Sequence, residues 1–318
     1  MSMHTYKNCS LCPRECKVDR TQGKTGYCGE TERLRISSIG AHFGEEPPIS
    51  GTHGSGTVFF TGCSLKCCYC QNYQISFDGM GNYYTRKGVV DELEKFVRSH
   101  NIHNVNFVTP DHFLPHTIKI VELLRESNIS IPILYNMSGY QKVGSVKMLE
   151  KYADIYMPDF KYADRKLAKE LSSAEDYPDK AIESLIEMVR QKEFLDFFFE
   201  NKQIASRGVL VRHLILPEHI QNSKDVLSTL LIEFGKEIPI SLMSQYYPSE
   251  KLMFNNSSKY PYLKRRISLH EFEEVYEHVL SLGFTNMLVQ YPQDFVSKKD
   301  QIDFVPDFKK EKPFKGNK

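Results

Sequence analysis

Beyond Cys70 this 318-residue sequence has no cysteine at all. It also has no surplus of charge: 41 basic residues face 40 acidic ones, for a net charge of +1. A balanced chain has no global field to draw it onto nucleic acid or a membrane surface, so neither is an expected partner. No apolar run approaches the roughly 20 residues that span a bilayer. Met1 to Lys7 lacks the apolar core of a signal peptide. There is no internal repeat and no low-complexity tract. These absences point to a cytoplasmic protein, in a compartment that keeps thiols reduced. The eight cysteines stand at positions 9, 12, 16, 28, 63, 67, 68 and 70. Crowded into the first 70 residues of such a chain, they suggest metal or catalysis rather than disulfides.

Residues 1–50 are rich in Cys, Gly and charge and short on regular periodicity. They read as a small Cys-rich metal-binding module in which a metal replaces an apolar core. From Ser55 onward, strand-like and helix-like runs alternate. Thr57 to Phe60 predicts a strand, Val90 to Val97 a helix, Val105 to Val108 a strand and His116 to Arg125 a helix. Ile131 to Tyr135 and Asp154 to Met157 are the next strands, with a helix near Ser145 to Tyr152 between them. Ile182, Leu185, Ile186 and Val189 keep the helical i, i+3, i+4, i+7 spacing. Gly208 to Leu216, Ile238 to Met243 and Met287 to Gln290 are further strands, and Lys224 to Phe234 a helix. Ser268 and Glu271 form a capping box for the last helix, with Gly283 at its C-cap position. This order predicts an α/β fold, a partial (β/α)6 TIM-like barrel over 51–295, with functional groups at the C-terminal ends of the strands. A lysine-rich tail, 296–318, is expected to be loosely ordered.

Directly after the first barrel strand stands Cys63-Ser-Leu-Lys-Cys67-Cys68-Tyr69-Cys70, a C-x3-C-x2-C spacing. Thiolates hold iron–sulfur clusters, normally four to a [4Fe–4S] cube. Three ligands on one tight loop leave one iron open, which a catalytic metal needs and a structural one avoids. A zinc knuckle is the alternative, but structural zinc favours four ligands in C-x2-C pairs. Cys68 is out of register and reads as a small apolar filler. Cys9, Cys12, Cys16 and Cys28 supply a complete four-ligand set, for which zinc and a second iron–sulfur cluster both fit.

The C-x3-C-x2-C loop after the first strand of a βα array resembles the signature of the radical S-adenosylmethionine (SAM) superfamily. The wider chain is similar to the extended branch of pyruvate formate-lyase activating enzyme homologues. The resemblance rests on Cys-Ser-Leu-Cys-Pro-Arg-Glu-Cys at 9–16, Gly-Tyr-Cys-Gly at 26–29 and Gly-Glu-Glu-Pro-Pro-Ile-Ser-Gly at 44–51. It continues through Val-Thr-Pro-Asp-His at 108–112, Tyr-Asn-Met-Ser-Gly-Tyr at 135–140 and Tyr-Met-Pro-Asp-Phe-Lys-Tyr at 156–162. Val-Arg-His-Leu-Ile-Leu-Pro at 211–217 and Met-Ser-Gln-Tyr-Tyr-Pro at 243–248 complete it.

It implies a [4Fe–4S] cluster on Cys63, Cys67 and Cys70 that cleaves SAM to a 5′-deoxyadenosyl radical, which abstracts hydrogen from a substrate. It implies a low-potential electron donor, flavodoxin or ferredoxin. It also implies cofactor contacts: Tyr69 against adenine, and Thr109 and Asp111 where activating enzymes carry Gly-Gly-Glu-Pro for the SAM amino group. Asn136 would meet the methionine or ribose. Asp159 and Lys161 match an Asp-x-Lys whose lysine suits the SAM carboxylate. Arg212, rather than its neighbour His213, is taken to point inward.

Each of these residues has a plainer reading. Asp159–Lys161 suits a surface ion pair, His213 a satisfied core histidine, and His112 and His116 a helix start. Glu45 and Glu46 suit solvated charge or an acid–base pair. Gln245 is a candidate substrate contact. Three functions compete. The first is activation of a partner enzyme by taking hydrogen from a glycine, which makes that protein the substrate. The second is radical modification of a peptide, a tRNA or a small metabolite, with Lys264-Arg265-Arg266 and Lys309-Lys310 as the candidate RNA patch. The third is a non-catalytic redox or metal-binding protein.

Overall fold

Strands buried on both faces dominate the centre of the chain. Ser55–Phe60 (β2), Asn104–Val108 (β4), Ile133–Met137 (β5) and Ile155–Pro158 (β6) are buried at every position. That is the pattern of a parallel sheet covered on one side by helices and filled on the other. The computed structural model describes residues 3–200, 202–249, 259–292, 306–310 and 313–314.

β2, β4, β5 and β6 pair in parallel and in that order. The expected strand over 208–216 is broken at Leu210 into Gly208–Val209 (β7) and Val211–Leu214 (β8). β7 pairs with β6, and β8 pairs with Ile240–Met243 (β9). A bridge between Asp159 and Arg212, with Phe160 N–H donating to Arg212 O at 2.8 Å, carries the array across the break. Met287–Val289 (β10) pairs with β9 in parallel at the far edge.

Helices make the crossovers: Arg86–His100 (α3), Leu114–Glu126 (α4), Val143–Met148 (α5), Arg165–Ser172 (α6), Tyr177–Lys192 (α7), Ile220–Phe234 (α8) and Leu269–Leu282 (α9). The side chains that face them are apolar. Val58, Phe60, Val105, Phe107 and Tyr135 join Leu93, Phe113, Ile118 and Val121 in the main core. Each such fully buried side chain is worth about 1.5–3 kcal/mol. Strand alternation turns the intervening residues, Thr57, Phe59, Asn106, Val108 and Asn136, toward the barrel interior.

The two ends of the chain differ from expectation. Arg35–His42 (β1), inside the stretch read as lacking regular structure, is a strand antiparallel to β2, and Asn82–Tyr83 (β3) lies outside it. β1 escaped notice because, as a strand near the sheet edge, it shows no clean burial alternation. Pro47–Ser50 (α1) then turns the chain under the barrel, where Asn104 Nδ2 donates to Ile49 O at 2.8 Å. Leu34 and Ile36 thus join the main core and Ile49 packs with Leu134, Ile155 and Met157, whereas Tyr6, Cys9 and Leu11 form a small cluster of their own. In the tail, residues 296–305 lie outside the described residues. Phe308, however, is buried against Phe59 and Val108. Among the described strands, β10 pairs with neither β1 nor β3, so the barrel is open between them.

Candidate active site

The cysteine loop leaves β2 through Thr61 and Gly62. Gly62 has φ +75°, and a Cβ there would lie 2.6 Å from Cys28 O. Only glycine lets the N-terminal cysteine segment approach so closely. Tyr73–Ser76 (α2) follows the loop. Leu65 N–H donates to Cys63 Sγ at 3.3 Å, and Ser76 Oγ donates to Cys70 Sγ at 3.3 Å. Cys63 feels the electrostatic field of both Cys67 and Cys70. Burial first, and the Cys67 thiol second, push Cys63 up to about 12 and Cys70 up to about 11. Left bare, these sulfurs stay protonated; a bound cationic group would hold them as thiolates. Donors aimed at the sulfurs, and the Lys161 cation whose field reaches Cys67 and Cys70, suit thiolates further. The donor set fits a [4Fe–4S] cluster.

Among the described residues, no three of His, Cys, Asp and Glu converge as ligands of one ion. A four-iron cube engages its thiolates at separate corners and does not require that convergence. Cys68 stays apart: its N–H donates to Leu171 O at 2.8 Å and its side chain packs against the core.

Lys161 and Asp159 follow β6, and their side chains pair at 2.5 Å, both largely shielded from solvent. The surface ion-pair reading is thus overturned. Arg212 Nε lies 3.3 Å from Asp159 Oδ1, and its Nη1 lies 3.0 Å from Glu45 Oε2 and 3.8 Å from Glu46 Oε2. Asn106 Nδ2 and Asn136 Nδ2 both donate to Glu45 Oε1, at 2.9 and 3.4 Å. Glu45 and Glu46 are therefore neither solvated nor a free acid–base pair. They form the polar floor of the barrel and neutralise Arg212. Burial opposes the charge of Asp159, yet Lys161 and Arg212 outweigh it and hold the carboxyl below its ordinary range. Burial likewise opposes the Arg212 cation, and Glu46, Asp159 and Glu45 more than offset it. Burial raises Glu46 above the usual carboxylate range against the pull of Arg212.

The remaining expected contacts divide. Thr109 N–H donates to Asn136 O at 2.9 Å, and Thr109 has φ +55°. A β-branched residue there is strained, typically by about 1–3 kcal/mol, and such strain clusters at functional sites. Asp111 is buried; Gln141 Nε2 donates to its Oδ1 at 2.6 Å and Ser138 Oγ to its Oδ2 at 3.5 Å. The Tyr69 ring is committed elsewhere. It packs edge-on to Tyr162 and Tyr246, and its hydroxyl accepts from Tyr162 at 2.8 Å. Both the ring and the hydroxyl of Tyr69 are therefore already partnered within the protein. His213 is a satisfied core histidine, bonded to Phe160 O at 2.7 Å and to Ser223 Oγ at 2.9 Å. Gln245 lies near the loop, its carbonyl accepting from Gln71 Nε2 at 2.9 Å.

The N-terminal segment is latched over this face. Arg14 donates to Ser64 O at 2.8 Å, to Ser172 O at 2.9 Å and to Ser173 O, with its guanidinium 3.9 Å from the Tyr27 ring centroid. Arg20, fully buried, donates to His112 O at 2.7 Å, and His112 Nε2 donates to Thr61 O at 2.7 Å. Cys9, Cys12 and Cys28 lie buried within one another's electrostatic reach, and Asp111 is near Cys12. Arg14 and Arg20 were missed in the sequence. Nothing marks an arginine as a latch when its acceptors are backbone carbonyls distant along the chain.

Burial, partly offset by Gln141 and Ser138, raises Asp111 to about 6. A carboxyl raised on folding contributes full stability below its unfolded pKa, near 3.9, and loses that contribution as pH rises through about 6. Asp111→Asn is expected to remove this slope. Wild type should lose about 3 kcal/mol relative to the variant between pH 4 and pH 7, read by urea denaturation across that range. A parallel pair of stability curves would contradict the assignment.

Residues 57–197 match the Radical SAM superfamily. The match supports the superfamily and its SAM-cleaving radical chemistry in general terms, and with it a [4Fe–4S] cluster and SAM. Two proteins of Methanocaldococcus jannaschii are similar over most of the chain. Uncharacterized protein MJ0674 is 27% identical over 87% of this chain and 75% of its own length. Uncharacterized protein MJ0808 is 21% identical over 77% of this chain and 72% of its own. Among solved structures, methylornithine synthase (PylB) superposes with a TM-score of 0.41 at 15% identity, over 76% of this chain and 74% of that one. No helix among the described residues is long and apolar enough to cross a membrane.

Proposed function

On the premise of the radical SAM match over residues 57–197, we propose that this protein is an enzyme that cleaves SAM reductively, with Cys63, Cys67 and Cys70 as the ligands of its [4Fe–4S] cluster. The observation that carries the proposal is the loop itself: three thiols directly after the first parallel strand, two of them with hydrogen-bond donors on sulfur, beside the Lys161 cation. When bound, the cluster supplies one electron to the SAM sulfonium, releasing methionine and a 5′-deoxyadenosyl radical that takes hydrogen from a substrate.

The protein's own part is binding and orientation. Lys161, a compact cation, is suited to the SAM carboxylate. Asp111 is the candidate acceptor for the SAM ammonium, with Thr109 beside it, and the backbone at Tyr69 for adenine. Asn136, Asp159 and Arg212 act through the barrel floor. Asn136 and Arg212 both bond Glu45, Arg212 bonds Asp159, and Asp159 pairs with Lys161; this chain holds Lys161 in place before SAM arrives, which saves reorganisation at the moment of reaction. Cys9, Cys12, Cys16 and Cys28 are a candidate second metal set over the cysteine loop, read from the sequence as zinc or iron–sulfur; since no three ligand side chains among the described residues converge on one ion, an iron–sulfur cluster suits them better than zinc. A low-potential flavodoxin or ferredoxin is the matching reductant.

By resemblance to the activating enzymes, the hydrogen donor is a glycine of a partner enzyme. A second reading, a small polar metabolite, is favoured by the charged lumen of Glu45, Glu46, Arg212 and Asp159. Protein purified anaerobically and reconstituted with iron and sulfide is expected to form 5′-deoxyadenosine from SAM and dithionite. Metal-loaded protein that forms none would overturn the proposal. Stimulation by a glycyl-radical partner or by polar metabolites then separates the two substrate readings.

A further inference from the structure

The described C-terminal residues pack against the cysteine loop's supports, far away in sequence. Phe308 N–H donates to Gln74 Oε1 at 2.7 Å. The Phe308 ring centroid lies 5.5 Å from that of Phe59 and 6.0 Å from that of Phe314. Phe314 lies 5.3 Å from Phe59 and 4.3 Å from His42. Asp307 N–H donates to Pro313 O at 2.9 Å, a closure that brings the two rings side by side. Ile75, Val108 and Met80 complete this apolar cluster, which is separate from the main core.

Its location gives it meaning. Phe59 and Val108 sit on the strand face opposite the helix-facing Val58 and Phe107, so the cluster lies on the lumen side of β2 and β4. It stands beside β1, on the side where the described strands leave the barrel open. It also touches α2, whose Ser76 donates to Cys70 Sγ and whose Gln74 accepts from Phe308. An aromatic turn at an open barrel edge, bonded to the helix that supports a cluster ligand, is placed to exclude water from a reaction that cannot tolerate it.

We infer that the described residues 306–310 and 313–314 form the side wall of the reaction chamber, with Phe308 and Phe314 as positioning residues that close the barrel's open edge beside the cluster. The inference rests on the proposed cluster at Cys63, Cys67 and Cys70, and it goes beyond it. Phe308 and Phe314 touch no reacting atom. They act by filling the gap and by holding α2 against Cys70.

The test uses full-length protein, reconstituted anaerobically: wild type, Phe308→Leu and the double variant Phe308→Ala, Phe314→Ala. Iron content, melting temperature and the rate at which cluster absorbance bleaches in air-saturated buffer are measured on each. The double variant is expected to hold wild-type iron and to bleach severalfold faster, with Phe308→Leu close to wild type because it still fills the gap. An unchanged bleaching rate at full iron, even with a lowered melting temperature, would reduce the turn to a structural element and overturn the inference. If the double variant does not assemble a cluster, Gln74→Met decides. It keeps both rings and cuts only the tie to α2, and it should bleach faster than wild type; equal rates overturn the inference. Wild-type protein that takes up no cluster would instead fail the proposed function.

Discussion

Cys67→Ala protein, reconstituted with iron and sulfide, will lose most of the iron bound at its loop and form 5′-deoxyadenosine only at background. The expected fall is about a thousandfold or more, over ~4 kcal/mol of lost transition-state stabilisation. Cys67 has no substitute. Cys68 is adjacent in sequence, but its backbone is fixed to Leu171 O and its side chain packs against the core. Cys68→Ala should therefore keep both iron and activity. Equal losses in the two variants would mean that the loop's register had been misassigned.

Arg212→Met will destabilise the protein by roughly 3–5 kcal/mol, the usual cost of stranding a buried charge whose partner is removed. The methionine fills the volume, but the Glu45, Glu46 and Asp159 carboxyls lose their shared cation. Adding Glu45→Gln should recover part of the loss, since the two sites touch and their effects are not additive. The pH dependence has a definite sign. Asp159 has a lowered folded pKa, so its contribution is present above its unfolded pKa, near 3.9, and is lost as pH falls through the lower folded value. Removing Arg212 takes away part of what lowers it. The stability gap between wild type and variant should thus be widest near neutral pH and narrow as pH drops through 4. A gap that is constant with pH would place the cost in packing instead of charge.

The barrel was readable because its strands obey local rules. β2, β4, β5 and β6 are short runs of β-branched and aromatic residues between helical stretches, and the predicted segments overlap the observed ones. The last helix begins at the Ser268–Glu271 capping box and ends at Gly283 with φ +74°. The C-x3-C-x2-C spacing lies within eight residues, and the loop it marks does follow β2 directly. What sequence concealed depends on partners distant along the chain. Glu45 looks like solvated charge until Arg212, 167 residues away, is brought against it. Phe308 sits in a lysine-rich tail and gives no local sign that it meets Phe59. Arg265 belonged to a candidate basic patch, yet Glu271 binds its guanidinium at 2.6 and 2.9 Å.

The most direct test of the account is the electron paramagnetic resonance spectrum of the reduced, reconstituted protein with and without SAM. The account predicts a [4Fe–4S] signal that changes on adding SAM, because three cysteine ligands leave one iron for SAM to bind, and that disappears in Cys67→Ala. A full complement of iron whose spectrum is the same with and without SAM would contradict it.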